Sequence, residues 1–216
     1  MVSLKGLHIF HLYVVALPLI LCNCVAIPRR SHAPIPPPSH RLGCEKVGVT
    51  TSFTEVIYSD FSVEGPIDPE KRRRGSVNPS WIVLKVLNSS NLFEVEPTKD
   101  LRLKYFIAFK IVSRNVANGL QRAHLWLSDL TLGILPGYGD GRYYLAAEIF
   151  DSNGSKAADY VSSSVRYNYF HGLIFLPLNF FHSSTLANIN EKYLPSMTDE
   201  IIDNMIRDKL IKCSGI

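Results

Sequence analysis

The sequence predicts an α+β domain: a largely antiparallel sheet built around a long central hairpin, with helices packed on one face. Three observations carry that prediction. Tyr143, Leu145, Ala147 and Ile149 alternate with more polar residues, which places them on one face of an extended strand. Asp151-Ser-Asn-Gly154 follows with turn chemistry, and a second segment rich in Tyr, Val and Ser, residues 156–169, returns as the other arm. Near the end of the chain Ile201, Ile202, Met205, Ile206 and Leu210 recur at helical spacing.

The elements follow in order. Residues 1–24 have the form of an export signal, with Lys5 ahead of a mostly apolar run from Leu7 to Leu21. That run falls short of the roughly 20 apolar residues of a membrane span. Two processing routes are open. Leu21-Cys-Asn-Cys24 resembles a relaxed bacterial lipobox that would leave Cys24 lipidated as the first mature residue, whereas Cys24-Val-Ala26 suits ordinary signal cleavage after Ala26. Residues 25–42 are rich in Pro and polar side chains, a composition that favours an extended tether of about 3.1 Å per residue. The single domain is expected over residues 43–216.

Within it, residues 43–61 read as a first strand, with Val47, Val49, Phe53, Val56, Ile57 and Tyr58 among Thr and Ser. Residues 64–76 hold two prolines and two glycines and read as a polar loop. Asn78 and Pro79 open a helix to about Asn88, apolar on most faces and expected in the core. A short strand covers residues 92–96. From Leu101 through Leu103, Tyr105, Ile107, Phe109 and Ile111 a long strand alternates with one strongly apolar face, its partner expected to be the hairpin. At the C-terminus Ser183 or Ser184 caps a short helix to Tyr193, Pro195 interrupts, and Ser196 caps a second helix.

The succession Leu-Phe-Glu-Val at 92–95, the long alternating strand, Leu-Thr-Leu-Gly-Ile-Leu-Pro at 130–136, Phe-Asp-Ser-Asn-Gly at 150–154 and Phe-Leu-Pro at 175–177 resembles uncharacterised bacterial envelope lipoproteins. These are similar in outline to lipoproteins that activate penicillin-binding proteins and to the N-terminal domain of TolB. The resemblance spans residues 47–212. It implies a non-enzymatic role at the cell envelope, facing the periplasm or the surface, and carries no functional residue over.

The net charge is +4, and its basic clusters, Arg29-Arg30 and Lys71-Arg-Arg-Arg74, sit in Pro/Gly-flanked segments without interleaved aromatics, so no nucleic-acid partner is expected. Gly137-Tyr-Gly-Asp-Gly141 precedes a strand, whereas a phosphate-cradling loop needs a strand before it and a helix after it. It reads as a loop leading into the hairpin. His32, His40, His124, His171 and His182 contain no pair at metal-ligand spacing, and no nucleophile-and-base motif surrounds Ser162-Ser-Ser164. Asp129, Asp140 and Asp151 show no spacing that would unite them. No enzyme, cofactor or metal site is therefore expected. With Cys24 lipidated, Cys44 and Cys213 remain as a disulfide across the domain's ends or as two free thiols. The expected partners are the membrane, through the N-terminal lipid, and other envelope proteins.

The hairpin brings two apolar Leu-Pro segments to one end. Leu132, Ile134, Leu135, Phe175, Leu176 and Phe180 are either core or an exposed ridge that meets a partner.

Overall fold

The computed structural model describes residues 24–28, 43–58, 63–66, 78–95, 103–116, 118–131, 134–172 and 186–213. Along the chain these form β1 (Cys24–Pro28), β2 (Val47–Tyr58), β3 (Val63–Pro66), α1 (Pro79–Ser89), β4 (Phe93–Val95), β5 (Leu103–Asn115), α2 (Gly119–Leu130), β6 (Gly137–Asp151), β7 (Lys156–Val161), β8 (Val165–His171) and α3 (Leu186–Arg207). The mixture of strands and helices is α+β. The chain divides into two compact units, residues 29–115, 142–166 and 189–216 in the larger, residues 1–28, 116–141 and 167–188 in the smaller.

The larger unit is built on β2, β5 and the body of β6. Tyr105, Ile107, Phe109 and Ile111 of β5 are buried, as are Tyr143, Leu145, Ala147 and Ile149 of β6, so both period-two faces lie in the core. Burying each large apolar side chain contributes about 1.5–3 kcal/mol. Phe53 and Phe109 stack across β2 and β5 with ring centroids 5.5 Å apart. These two strands are parallel, pairing from Val49 with Tyr105 to Tyr58 with Arg114, and β4 is also parallel to β2. The sheet is therefore mixed: β1–β8, β2–β3 and β6–β7 are antiparallel, in keeping with the mostly antiparallel sheet expected, while β2–β5 and β2–β4 are parallel. The cause is the connection: parallel neighbours need a crossover, and α1 lies between β2 and β5 in sequence to supply it.

Local chemistry shapes the connections. Asn78 accepts from Ser80 N at 3.1 Å and Pro79 occupies the first turn of α1, as the cap predicts. Ile82, Val83 and Leu87 are buried, but Trp81 is 52% exposed with Lys85 Nζ 5.5 Å from its ring centre, so α1 has a solvent face the sequence reading did not assign. At the hairpin turn Asp151 Oδ1 accepts from Asn153 N and Ser155 N, both at 2.9 Å, and Gly154 takes φ +79°. That is the left-handed position a three-residue hairpin loop requires. β6 and β7 then pair antiparallel, Ala147 opposite Tyr160, with a bulge between Ile149 and Phe150. The returning arm is not one strand: it breaks at residues 162–164, where Ser162 Oγ accepts from Leu145 N at 3.0 Å. Residues 64–66, expected in a loop, end β3, paired antiparallel to β2.

Two expected C-terminal helices are one. Pro195 lies inside α3, and Ser196, expected as a cap, donates its hydroxyl to Tyr193 O at 2.9 Å, while buried Thr198 donates to Leu194 O at 2.8 Å. A mid-helix proline removes one N–H and costs about 3 kcal/mol in isolation. Burial of Ile189, Tyr193, Leu194, Met197, Ile201, Ile202, Met205 and Ile206 on either side of it holds the helix together. The end of α3 is fastened to strand tyrosines, Tyr105 donating to Leu210 O at 3.1 Å and Tyr160 to Asp208 Oδ2 at 2.9 Å.

In the smaller unit β1 pairs antiparallel with β8, from Cys24 opposite His171 to Pro28 opposite Tyr167. Gly137 to Gly141, expected as a loop, are the first residues of β6. Gly139 and Gly141 lie beneath the rings of Tyr169 and Tyr167, which fill the space side chains would take. Residues 25–28, expected at the head of a tether, are strand, while residues 29–42 lie outside the described residues.

Candidate functional site

Among the described residues of the smaller unit, α2 presents four exposed large apolar side chains, Leu120, Trp126, Leu127 and Leu130. The sequence reading does not anticipate this helix: only its last residues, 127–130, fall in the apolar Leu-Pro segment, and residues 119–126 are assigned no element. Its signal was present in Asn118 and Gln121, which form a capping box, Asn118 Oδ1 accepting from Gln121 N at 2.9 Å and Gln121 Oε1 accepting from Asn118 N at 2.8 Å. At about 100° per residue, Gln121 and Ser128 share one side of α2, while Leu120, Ala123, Trp126, Leu127 and Leu130 share the other. Burial inverts the usual order. Gln121 and Ser128 are the buried residues of α2, whereas Trp126 is 63% exposed and Leu120, Leu127 and Leu130 are exposed with it. Ser128 faces inward because small residues are needed there: the Cα of Gly137 sits so close that a Cβ on it would come within 3.0 Å of Ser128 Cβ. A turn closes the helix, Thr131 Oγ1 donating to Leu127 O at 2.9 Å and accepting from Leu135 N at 3.1 Å.

Of the proposed ridge, Ile134 is 68% exposed and Leu135 is exposed beside it, in the turn between α2 and Gly137. Leu132, Phe175, Leu176 and Phe180 lie outside the described residues. His124 stands 5.7 Å from the ring of Tyr138 at the border of this surface.

Cys24 is the first residue of β1, and Ala26, two residues on, is 2% exposed. In the larger unit Cys44 and Cys213 are joined by a disulfide and pair as an isolated bridge. Beside them Glu45 N donates to Lys212 O at 2.8 Å, and Lys104 Nζ lies 2.6 Å from Glu45 Oε1. The hydrogen bond from Lys104 holds the Glu45 carboxyl below its ordinary pKa. Burial, and then the hydrogen bond to Asp208, push the Tyr160 hydroxyl well above its own. Both groups fasten the fold, Glu45 at the disulfide and Tyr160 at the end of α3.

Among the described residues no group of three or more His, Cys, Asp or Glu side chains is placed to hold a metal ion, and no helix is long and apolar enough to cross a membrane. His124 and Asp129 are exposed on α2, and Asp151 is occupied by its turn. His32, His40 and His182 lie outside the described residues.

No protein-family model matches the chain, and no curated protein matches it in sequence. Among solved structures, a minor lipoprotein from Acinetobacter baumannii aligns with 78% of this chain and 96% of its own at 11% identity, with a TM-score of 0.31. A superposition that loose transfers neither fold nor function.

Proposed function

We propose that the chain is exported, acylated at Cys24 and retained at a cell-envelope membrane, where it acts as a non-catalytic domain that binds other envelope proteins. The observation that carries this reading is the position of β1, whose first residue is Cys24. Processing at Cys24 keeps the whole strand. Cleavage after Ala26, the competing route, would remove Cys24, Val25 and the buried Ala26, and strip Tyr169, Phe170 and His171 of β8 of their pairing partners. Each lost backbone pairing costs about 1 kcal/mol, so the fold favours the earlier cut. The disulfide between Cys44 and Cys213 fits an exported chain, because such bonds persist in oxidising compartments. On this reading the Pro-rich segment, residues 29–42, links β1 to β2 and does not separate lipid from fold.

Intact mass of the mature protein from a bacterial host, for wild type and Cys24→Ala, tests the proposal. The expected result is a chain beginning at Cys24 with a diacyl or triacyl addition that the variant lacks. An unmodified chain beginning at Ile27 would refute it and leave a secreted binding protein. Robust turnover in a panel of ester, peptide and glycan substrates would overturn the non-catalytic part.

A further inference from the structure

We infer that the outward face of α2, with Ile134 and Leu135 of the turn after it, lies in the headgroup region of the bilayer that holds Cys24. The inference rests on the anchor reading for its occupant and on the register of the smaller unit for its geometry. Tyr169 covers Gly139 and Tyr167 covers Gly141, so β8 runs antiparallel beside the first residues of β6. His171, two residues beyond Tyr169, thus comes level with Gly137, and Cys24 is opposite His171. Two strand spacings, about 10 Å, separate the acylated residue from Gly137. Gly137 in turn lies directly under Leu125 and Ser128 of α2, with Leu135 two residues before it. No residue separates the anchor from β1, so a lipid on Cys24 brings this end of the unit to the membrane surface.

What it meets there is suited to lipid. Leu120, Ala123, Trp126, Leu127 and Leu130 form one unbroken apolar arc on α2, flanked by Arg122, Asp129 and His124. Together with Ile134 and Leu135 this places six large exposed apolar residues within sixteen positions, more than scattered surface residues supply. An amphipathic helix with Trp on its apolar side is the pattern of an element lying in the membrane interface. The helix is too short to insert across the bilayer, and its polar side is occupied by the sheet.

The test uses the full chain carrying Trp81→Phe, which leaves Trp126 as the single tryptophan. The purified protein is reconstituted in phosphatidylethanolamine/phosphatidylglycerol vesicles with brominated acyl chains, alongside the same chain carrying Cys24→Ser. The expected result is a blue-shifted Trp126 emission and roughly twofold quenching by the brominated lipid. Adding Leu127→Ser and Leu130→Ser, exposed positions whose change should leave the circular dichroism spectrum intact, removes flotation of the non-acylated chain with vesicles. Acylated protein whose Trp126 is neither shifted nor quenched overturns the inference while the anchor stands. Quenching in a wild-type chain found to lack acylation supports the face and sinks the anchor. A Trp126 already shielded in vesicle-free solution, with the mass of a dimer, overturns the inference in favour of a second copy.

Discussion

Replacing both Cys44 and Cys213 by Ser removes a cross-link between residues 169 apart in sequence. In the chain-entropy treatment the loop closed in the unfolded state grows in cost with the logarithm of its length, and at this length the bond contributes about 5 kcal/mol. The folded state should change little. The backbone bridge between positions 44 and 213 and the hydrogen bond from Glu45 N to Lys212 O keep the two ends side by side without sulfur. The effect therefore falls on the unfolded chain. With a urea dependence of about 2 kcal/mol per M, the unfolding midpoint should fall by about 2.5 M, with a somewhat larger slope because the released chain exposes more surface. Urea unfolding of the oxidised protein, the reduced protein and the double variant, followed by circular dichroism, measures it. Reduced protein and variant should coincide. Equal midpoints in all three, or a non-reducing peptide map that finds both thiols free, would refute the reasoning.

Three further changes test separate parts of the structure. Lys209 ends α3 in the left-handed region at φ 60°, where a side chain costs about 1–2 kcal/mol and glycine nothing. Lys209→Gly should therefore raise stability by roughly 0.5–1 kcal/mol after glycine's unfolded-state entropy is counted, read as an increase in urea midpoint. Gly139→Ala should destabilise by about 1–3 kcal/mol because its methyl enters the ring of Tyr169, and Tyr169→Ala should recover much of that loss in a double-mutant cycle. Tyr160 is held neutral in the fold, its pKa raised above the ordinary value of 10.0, so its contribution is complete below that pH and is lost as pH rises above it, when the unfolded chain ionises first. Tyr160→Phe should cost about 1 kcal/mol at neutral pH through the lost bond to Asp208 and flatten the alkaline fall of stability; an alkaline limb as steep as wild type would contradict the assignment.

The sequence by itself determined what neighbours along the chain decide. Asn78 and Pro79 begin a helix, Asp151 and Gly154 make a turn, and the alternation through Tyr105 to Ile111 and Tyr143 to Ile149 marks the buried faces, because each signal is read within a few residues. Partners and directions are set by residues far away. Period-two alternation states which side of β5 is apolar but not that β2 lies beside it in parallel. The proline rule predicts a break at Pro195, yet apolar contacts on both sides of it carry α3 through. The same limit governs the candidate site. An amphipathic wheel shows that α2 has two unlike faces, and the ordinary expectation puts Trp126 and Leu130 inside. In the fold Gly137 packs closely against Ser128 and Leu125, and α2 turns Gln121 and Ser128 inward while its apolar side is exposed. The local motif around Cys24 is read from its neighbours, but the place of Cys24 at the head of a paired strand depends on β8, well over a hundred residues later in the chain.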